Sequence, residues 1–255
     1  MGIRLNMKKI LILVLSSDFP PYTHLMNVSQ NTWDSVQVEN VETIFYCSQK
    51  DNPNFVETDK VKYFDVDNTL FHMGIKNLAM FEWALKNKDF DYVARVNASC
   101  YVDKKQLVKY VDTLPTKDVF AGVIVAAEPR WMFGGLNFVI SKDVIEKIVE
   151  HKNEWDHGKM EDVSMSQLVD KIGIPFTNGT ACSIDKQESD WLCLSYNADS
   201  VRFNDFSELK NTGHHYYRVK QDYDRAQDEY VMNELFKALN EPEKRLHNFS
   251  RQTIL

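Results

Sequence analysis

"MKKILILVLSSDFPP" (residues 7–21) admits two readings, and the choice between them decides what kind of chain this is. Lysines ahead of an apolar run imitate a secretory leader. The run from Ile10 to Leu15 falls short of the ~7–15 apolar residues that a leader needs, and Pro20-Pro21 closes it without a small-residue cleavage site. A short, continuously apolar run bounded by Ser, Asp and Pro reads instead as a strand buried on both faces. Strands of that kind belong to parallel sheets covered by helices on each side.

The rest of the chain repeats the theme. "ETIFYCS" (42–48), "VKYFDV" (61–66), "FDYVARV" (90–96), "VFAGVIVA" (119–126) and "NFVI" (137–140) read as further strands. Helical spacing lies between them. A helix fits within "HLMNVSQNTWDSV" (24–36), and Ile75 to Lys86 is apolar on every face, which suits a helix packed on both sides. "KKQLVKYVDTL" (104–114) is closed by Pro115, and Ser141 is placed to N-cap "KDVIEKIVEHK" (142–152). In "EDVSMSQLVDKIG" (161–173), Met165, Leu168, Val169 and Ile172 share one face, with Gly173 and Pro175 where a helix should stop. A last helix is expected from Arg225 to Leu239. Strands alternating with helices predict an α/β fold whose central sheet is largely parallel, mixed near the middle. One domain is expected over 1–255, with a core at about 8–240 and a loose tail at 241–255.

Composition removes several functions. A hydrophobic content of 44% suits a packed core, while a net charge of −7 argues against wholesale binding of nucleic acid or anionic membrane. No run approaches the ~18–20 apolar residues that span a bilayer. Cys47, Cys100, Cys182 and Cys193 are scattered without a CxxC pair, so they read as buried free thiols in a reducing, cytoplasmic setting.

"VKYFDVDNTLFHMG" (61–74) resembles the nucleophile motif of the haloacid dehalogenase family, in which Asp65 would attack phosphate and Asp67 handle the proton. Ser141, Lys142 and the pair Glu161-Asp162 would have to complete that site. Two strands precede the motif, however, where the dehalogenase nucleophile follows the first. The Gly-rich loops that flank its acidic pair are also missing.

A second resemblance spans more of the chain. "VSQNTWDS" (28–35), "GIKNLAMFEWAL" (74–85), "FDYVARVNASCYVDKKQLVKYV" (90–111), "WMFGGLNFVISKDVIEKI" (131–148) and "EDVSMSQLVDKIGIPF" (161–176) follow in the order of the β-1,3-galactosyltransferase and Fringe-like glycosyltransferases. This resemblance implies a GT-A-like (Rossmann-like) α/β/α sandwich that takes a nucleotide diphosphate sugar at the carboxyl ends of its strands. It also implies a glycan acceptor and, by likeness to soluble members, a bacterial or viral source. Asp65 and Asp67 then belong to a nucleotide-sugar site or cap the next helix.

Within that family an Asp-x-Asp motif holds manganese. The corresponding residues here are Asn97-Ala98-Ser99, which offer only neutral oxygens. A divalent Mn2+ or Mg2+ with His214, His215 and Asn97 as ligands is one expectation. The other is metal-independent, with Arg218 and Lys220 of "HHYYRVKQDYDR" (214–225) clamping the diphosphate. Asp162, with Glu161 beside it, matches the family's Glu-Asp-Val element and is the expected base for an inverting transfer. Ser16, Asp67, Arg95, Asn97 and Ser99 are expected around the donor, and Gly134 and Gly135 should let backbone approach its sugar. A catalytically inactive sugar- or nucleotide-binding module of the same fold is the competing expectation, because the Asp-x-Asp carboxylates are gone.

Overall fold

A computed structural model describes residues 7–48 and 57–240. In chain order its elements begin β1 (Ile10–Leu15), α1 (Tyr22–Asn31), β2 (Val41–Ser48), β3 (Val61–Phe64), α2 (Met73–Asn87), β4 (Tyr92–Asn97), β5 (Cys100–Val102) and α3 (Lys104–Thr113). The middle of the chain forms β6 (Phe120–Gly122), β7 (Ile124–Val125), β8 (Trp131–Met132), β9 (Phe138–Ser141), α4 (Lys142–Glu150) and α5 (Glu161–Lys171). The last third adds β10 (Phe176–Asn178), β11 (Ala181–Lys186), β12 (Trp191–Tyr196), β13 (Val201–Phe203), β14 (Tyr216–Arg218) and α6 (Gln227–Asn240). The tail expected at 241–255 lies outside the described residues.

The opening stretch is the strand its composition called for. All of β1 is buried, and it sits between β2 and β4, parallel to both. Its side chains alternate between two cores. Ile10, Ile12 and Val14 join the core of α1, α3 and α6, whereas Leu11, Leu13 and Leu15 join that of α2, α4 and α5. The central sheet runs β10-β6-β9-β4-β1-β2-β3, and only β9 is antiparallel to its neighbours. It is therefore an α/β fold with a largely parallel sheet, mixed where β9 intrudes. No helix among the described residues is long and apolar enough to cross a membrane.

Helix ends follow local chemistry. The Asp103 side chain accepts from the backbone N–H of Lys105 and Gln106 and so caps α3. Gly173 follows α5 at φ 78°, a left-handed turn that suits glycine. Ser141 does occupy the N-cap position of α4, but its hydroxyl makes no cap bond; it donates to Asp143 Oδ1 and accepts from Val119 N instead. The strand expected at 119–126 breaks at Val123 into β6 and β7, because β7 leaves the sheet to pair with β8.

A second sheet, β13-β12-β11-β14-β5, was not foreseen. Its hairpin β11–β12 corrects the reading of the cysteines. Cys182 faces Ser195 across the ladder, which puts Cys193 two residues along on the same face; the Cα atoms lie 5.9 Å apart and the sulfurs are bonded. Cys47 and Cys100 are free and buried, as expected. The pairing removes the premise on which a reducing compartment was expected.

Leu13 is fully buried in the central strand. Leu13→Ala should cost about 2–5 kcal/mol, lowering the urea midpoint with the slope unchanged.

Candidate active-site cleft

The carboxyl ends of β1 and β4 lie side by side, with Leu15 in register with Asn97. Open α/β sheets bind ligands at such ends, and a cleft of about 420 Å³ opens there. Four further segments close it. Asn68 to Leu70 and the first turn of α2 form one side, and Phe133-Gly134-Gly135, between β8 and β9, form the floor. Met160, Glu161 and Asp162 come from the start of α5, and Arg218 and Lys220 from the end of β14.

The second sheet reaches the cleft through one bend. After Asn97 the chain turns at Ala98-Ser99 and enters β5, whose Cys100 pairs with Arg218 of β14. Val219 N donates to Ser99 O at 3.1 Å, which fixes the far end of β14 beside the end of β4. Basic residues more than a hundred positions downstream are thereby brought to the central sheet.

At the base of the cleft, Arg95 and Glu161 form a buried ion pair at 2.8 Å. The second terminal nitrogen of Arg95 donates to Gly134 O at 2.9 Å, and Asn77 Nδ2 donates to the same Glu161 oxygen at 2.7 Å. Tyr46 in turn donates to Asn77 Oδ1. Burial pushes the Glu161 carboxyl above its ordinary range, and the Arg95 charge opposes that shift. Arg95 therefore buttresses the strand and the glycine loop, and Glu161 is its counter-ion.

Asp162 holds the same loop from the other side. Its Oδ2 accepts from Gly134 N and its Oδ1 from Val163 N, both at 2.9 Å. Asn97 Nδ2 adds a bond to Gly134 O at 2.9 Å. Gly134 allows this closeness, since a Cβ there would lie 2.7 Å from that of Asp162. One at Gly135 would lie 2.6 Å from the Arg218 guanidinium, which donates to Gly135 O at 2.8 Å and rests over the Phe133 ring.

Most expected site residues meet here: Ser16, Arg95, Asn97, Ser99, Gly134 and Gly135, with Glu161, Asp162, Arg218 and Lys220. Three others do not. Asp67 precedes lining residues Asn68 and Thr69 but is not itself in the lining. His215 is buried against Tyr110, with ring centres 4.5 Å apart, and Asn137 lies 3.0 Å from its Nε2. Burial pushes its imidazole down to about 3, so it stands neutral. His214 pairs with Ser195 Oγ at 2.8 Å, beside Cys182 and Cys193. The ligand atoms of that Cys-Cys-His group lie within 4.8 Å of one another, but its sulfurs are joined to each other. For the phosphatase pieces, Asp65 is exposed at the end of edge strand β3, and Ser141 is committed to β6 and α4.

Sequence reading missed Lys76, Asn68 and Phe133. Lys76 is buried in the first turn of α2 and lines the cleft. A lysine inside a helix apolar on every face was the available signal.

No protein-family profile matches the chain, and no curated protein matches its sequence. Among solved structures it is similar to a glycosyltransferase involved in the glycosylation of the major capsid of PBCV-1, at 11% identity and TM-score 0.53, covering 88% of this chain and 99% of that one. A 4-diphosphocytidyl-2C-methyl-D-erythritol synthase from Anaerococcus prevotii is similar at TM-score 0.44 and 11% identity, over 68% of this chain and 86% of that one. The glycosyltransferase GlyE of Streptococcus pneumoniae is similar at 0.40 and 12%, over 68% and 45%. At these identities the first likeness establishes a GT-A-type fold, and the other two carry no weight.

Removing one partner of a buried ion pair strands the other. Arg95→Met should cost about 3–5 kcal/mol in chemical denaturation, and Arg95→Met with Glu161→Leu should recover most of it.

Proposed function

We propose that this chain is a nucleotide-sugar-dependent glycosyltransferase, moving a hexose from a nucleoside diphosphate sugar to a hydroxyl of a glycan acceptor with inversion. One observation carries the reading: a carboxylate, a fixed glycine loop and several cations converge on one cleft at the carboxyl ends of β1 and β4. Glycosyl transfer needs a base for the acceptor hydroxyl, room for a sugar and positive charge for the departing diphosphate. The fold is also one on which an enzyme of viral capsid glycosylation is built.

Asp162 is the proposed base. Each of its oxygens accepts one backbone N–H, which fixes the carboxylate and leaves each oxygen a further lone pair. It takes the acceptor proton as the acceptor oxygen attacks the anomeric carbon, and the bond from that carbon to the diphosphate oxygen breaks. Gly134 and Gly135 give the sugar a surface without side chains. Glu161, set beside Asp162 as a catalytic candidate, is proposed to act through Arg95 as a positioning residue. Ser16, Ser17 and Tyr22, at the end of β1 and the start of α1, are the proposed neighbours of the nucleoside.

The inert-module reading keeps one observation in its favour. The two bonds of Asp162 would equally suit a purely structural carboxylate that pins the glycine loop.

Nucleotide sugars assayed for transfer and for slow hydrolysis separate the two readings. Asp162→Asn should lower turnover about 10²–10⁴-fold with donor affinity little changed. Turnover equal to wild type would remove Asp162 as base. A wild-type protein that binds nucleoside diphosphates but turns over no nucleotide sugar would be the inert module.

A further inference from the structure

The fold resemblance implies manganese at the diphosphate, and the residues of this cleft do not fit that ion. A hard divalent cation wants carboxylate oxygens. The lining offers two carboxylates, Glu161 and Asp162. Glu161 is bound to Arg95 and Asn77, and Asp162 to Gly134 N and Val163 N. Where the Asp-x-Asp pair would stand, Asn97 and Ser99 are neutral, and the Asn97 amide donates to Gly134 O. Among the described residues, the one group of three or more His, Cys, Asp or Glu close enough to share an ion is Cys182, Cys193 and His214, outside the cleft lining.

The cleft holds a different source of positive charge. Two lysines among the described residues are buried, Lys76 and Lys104, at 2% and 5% exposure. Lys104 has a carboxylate, Asp34, at 2.8 Å. Lys76 has none within 4 Å among the described residues; its hydrogen bond is to Asn68 Oδ1 at 2.9 Å. Asp18 stands on the other side of Asn68, whose amide nitrogen donates to it. A buried ammonium with no carboxylate in contact is costly, and burial lowers the pKa of Lys76, a shift that the charge of Asp18 opposes from a distance. Arg218 also has no carboxylate within ion-pairing distance among the described residues, and it rests over Phe133 with its place fixed by Gly135 O. Lys220 is held by Asp222 at 2.6 Å, towards solvent.

We propose that the cleft binds its diphosphate without a divalent metal, and that Lys76, with Arg218, supplies the charge that a metal would. The inference rests on the nucleotide-sugar reading of the cleft. An ammonium is a compact charge with three donors, of which Asn68 occupies one. Arg218 adds a planar fork suited to phosphate oxygens. On departure of the nucleoside diphosphate, these two cations would face the developing negative charge, and no metal-bridged step is needed.

Calorimetry on the full chain with nucleoside diphosphates and inorganic pyrophosphate, in EDTA and again in manganese, tests this directly. At least one nucleoside diphosphate should bind in EDTA with a dissociation constant within about threefold of that in manganese. Lys76→Met should weaken it by about tenfold to a hundredfold, the loss expected for a charged hydrogen-bond donor. Its ligand-free melting temperature should equal or exceed that of wild type, because a stranded charge has been removed. Lys152→Met, an exposed control, should leave affinity unchanged.

Binding that vanishes in EDTA and returns with manganese would overturn the inference while leaving the transferase reading in place. Unchanged affinity in Lys76→Met, or a ligand-free melting temperature that drops, would overturn the assignment to Lys76. If no nucleoside diphosphate binds in either condition, the transferase reading falls, and this inference with it.

Discussion

The buried pair of Arg95 and Glu161 is the constraint around which the cleft is assembled. Arg95 belongs to β4 and Glu161 to the first turn of α5; Gly134 of the glycine loop accepts from Arg95, and Asn77 of α2 donates to Glu161. Tyr46 of β2 extends the chain of bonds through Asn77. One network thus ties two strands, two helices and a loop at the same end of the sheet. Its members are buried, so each hydrogen bond is strong only while every partner is present. That interdependence is what a binding site needs, because it holds Asp162 and Gly134 in place with no contribution from a ligand.

The geometry also explains why the wall of the cleft comes from so far along the chain. β4 cannot continue past Asn97 without leaving the site, so the chain bends at Ala98-Ser99 and pairs as β5 with β14. That pairing carries Arg218 to the glycine loop, where its guanidinium bonds Gly135 O. A strand that ends in Arg218 and a neutral turn more than a hundred residues earlier become neighbours through one short ladder. Neither segment would be informative without the other.

This is where the legibility of the sequence divides. β1, β2, β4 and the main helices were readable because their apolar periodicity is local and strong: a strand buried on both faces must be apolar throughout, as Ile10–Leu15 is. Gly134, Gly135 and Asp162 were readable through resemblance, and they do meet in the cleft. The second sheet was not, since β5, β13 and β14 have three residues each and take their identity from their partners. The Cys182–Cys193 bond was lost with the hairpin that makes it. His214 and His215 looked like ligands because they stood among charges in the sequence, but the segment that leads into β14 buries both of them. Lys76 went unread for the opposite reason: it stands alone among apolar neighbours on a helix packed on both sides, and only the folded cleft shows that this buried cation faces a site.

The two buried lysines state the energetics of the site most directly. Lys104 satisfies Asp34 and joins α3 to the segment after α1, an arrangement whose purpose is complete within the fold. Lys76 has the same desolvation without the same partner, and a fold selected for stability alone would replace it with Met or Leu at little cost in packing. Under the proposed reading, the stability that Lys76 withholds would return when an anion binds. Lys76 and Arg218 share a cleft in which Asn97 and Ser99 are neutral and both lining carboxylates, Glu161 and Asp162, already hold hydrogen-bond partners. Under the proposed reading, such an arrangement of cations suits an anion alone rather than a metal–anion pair.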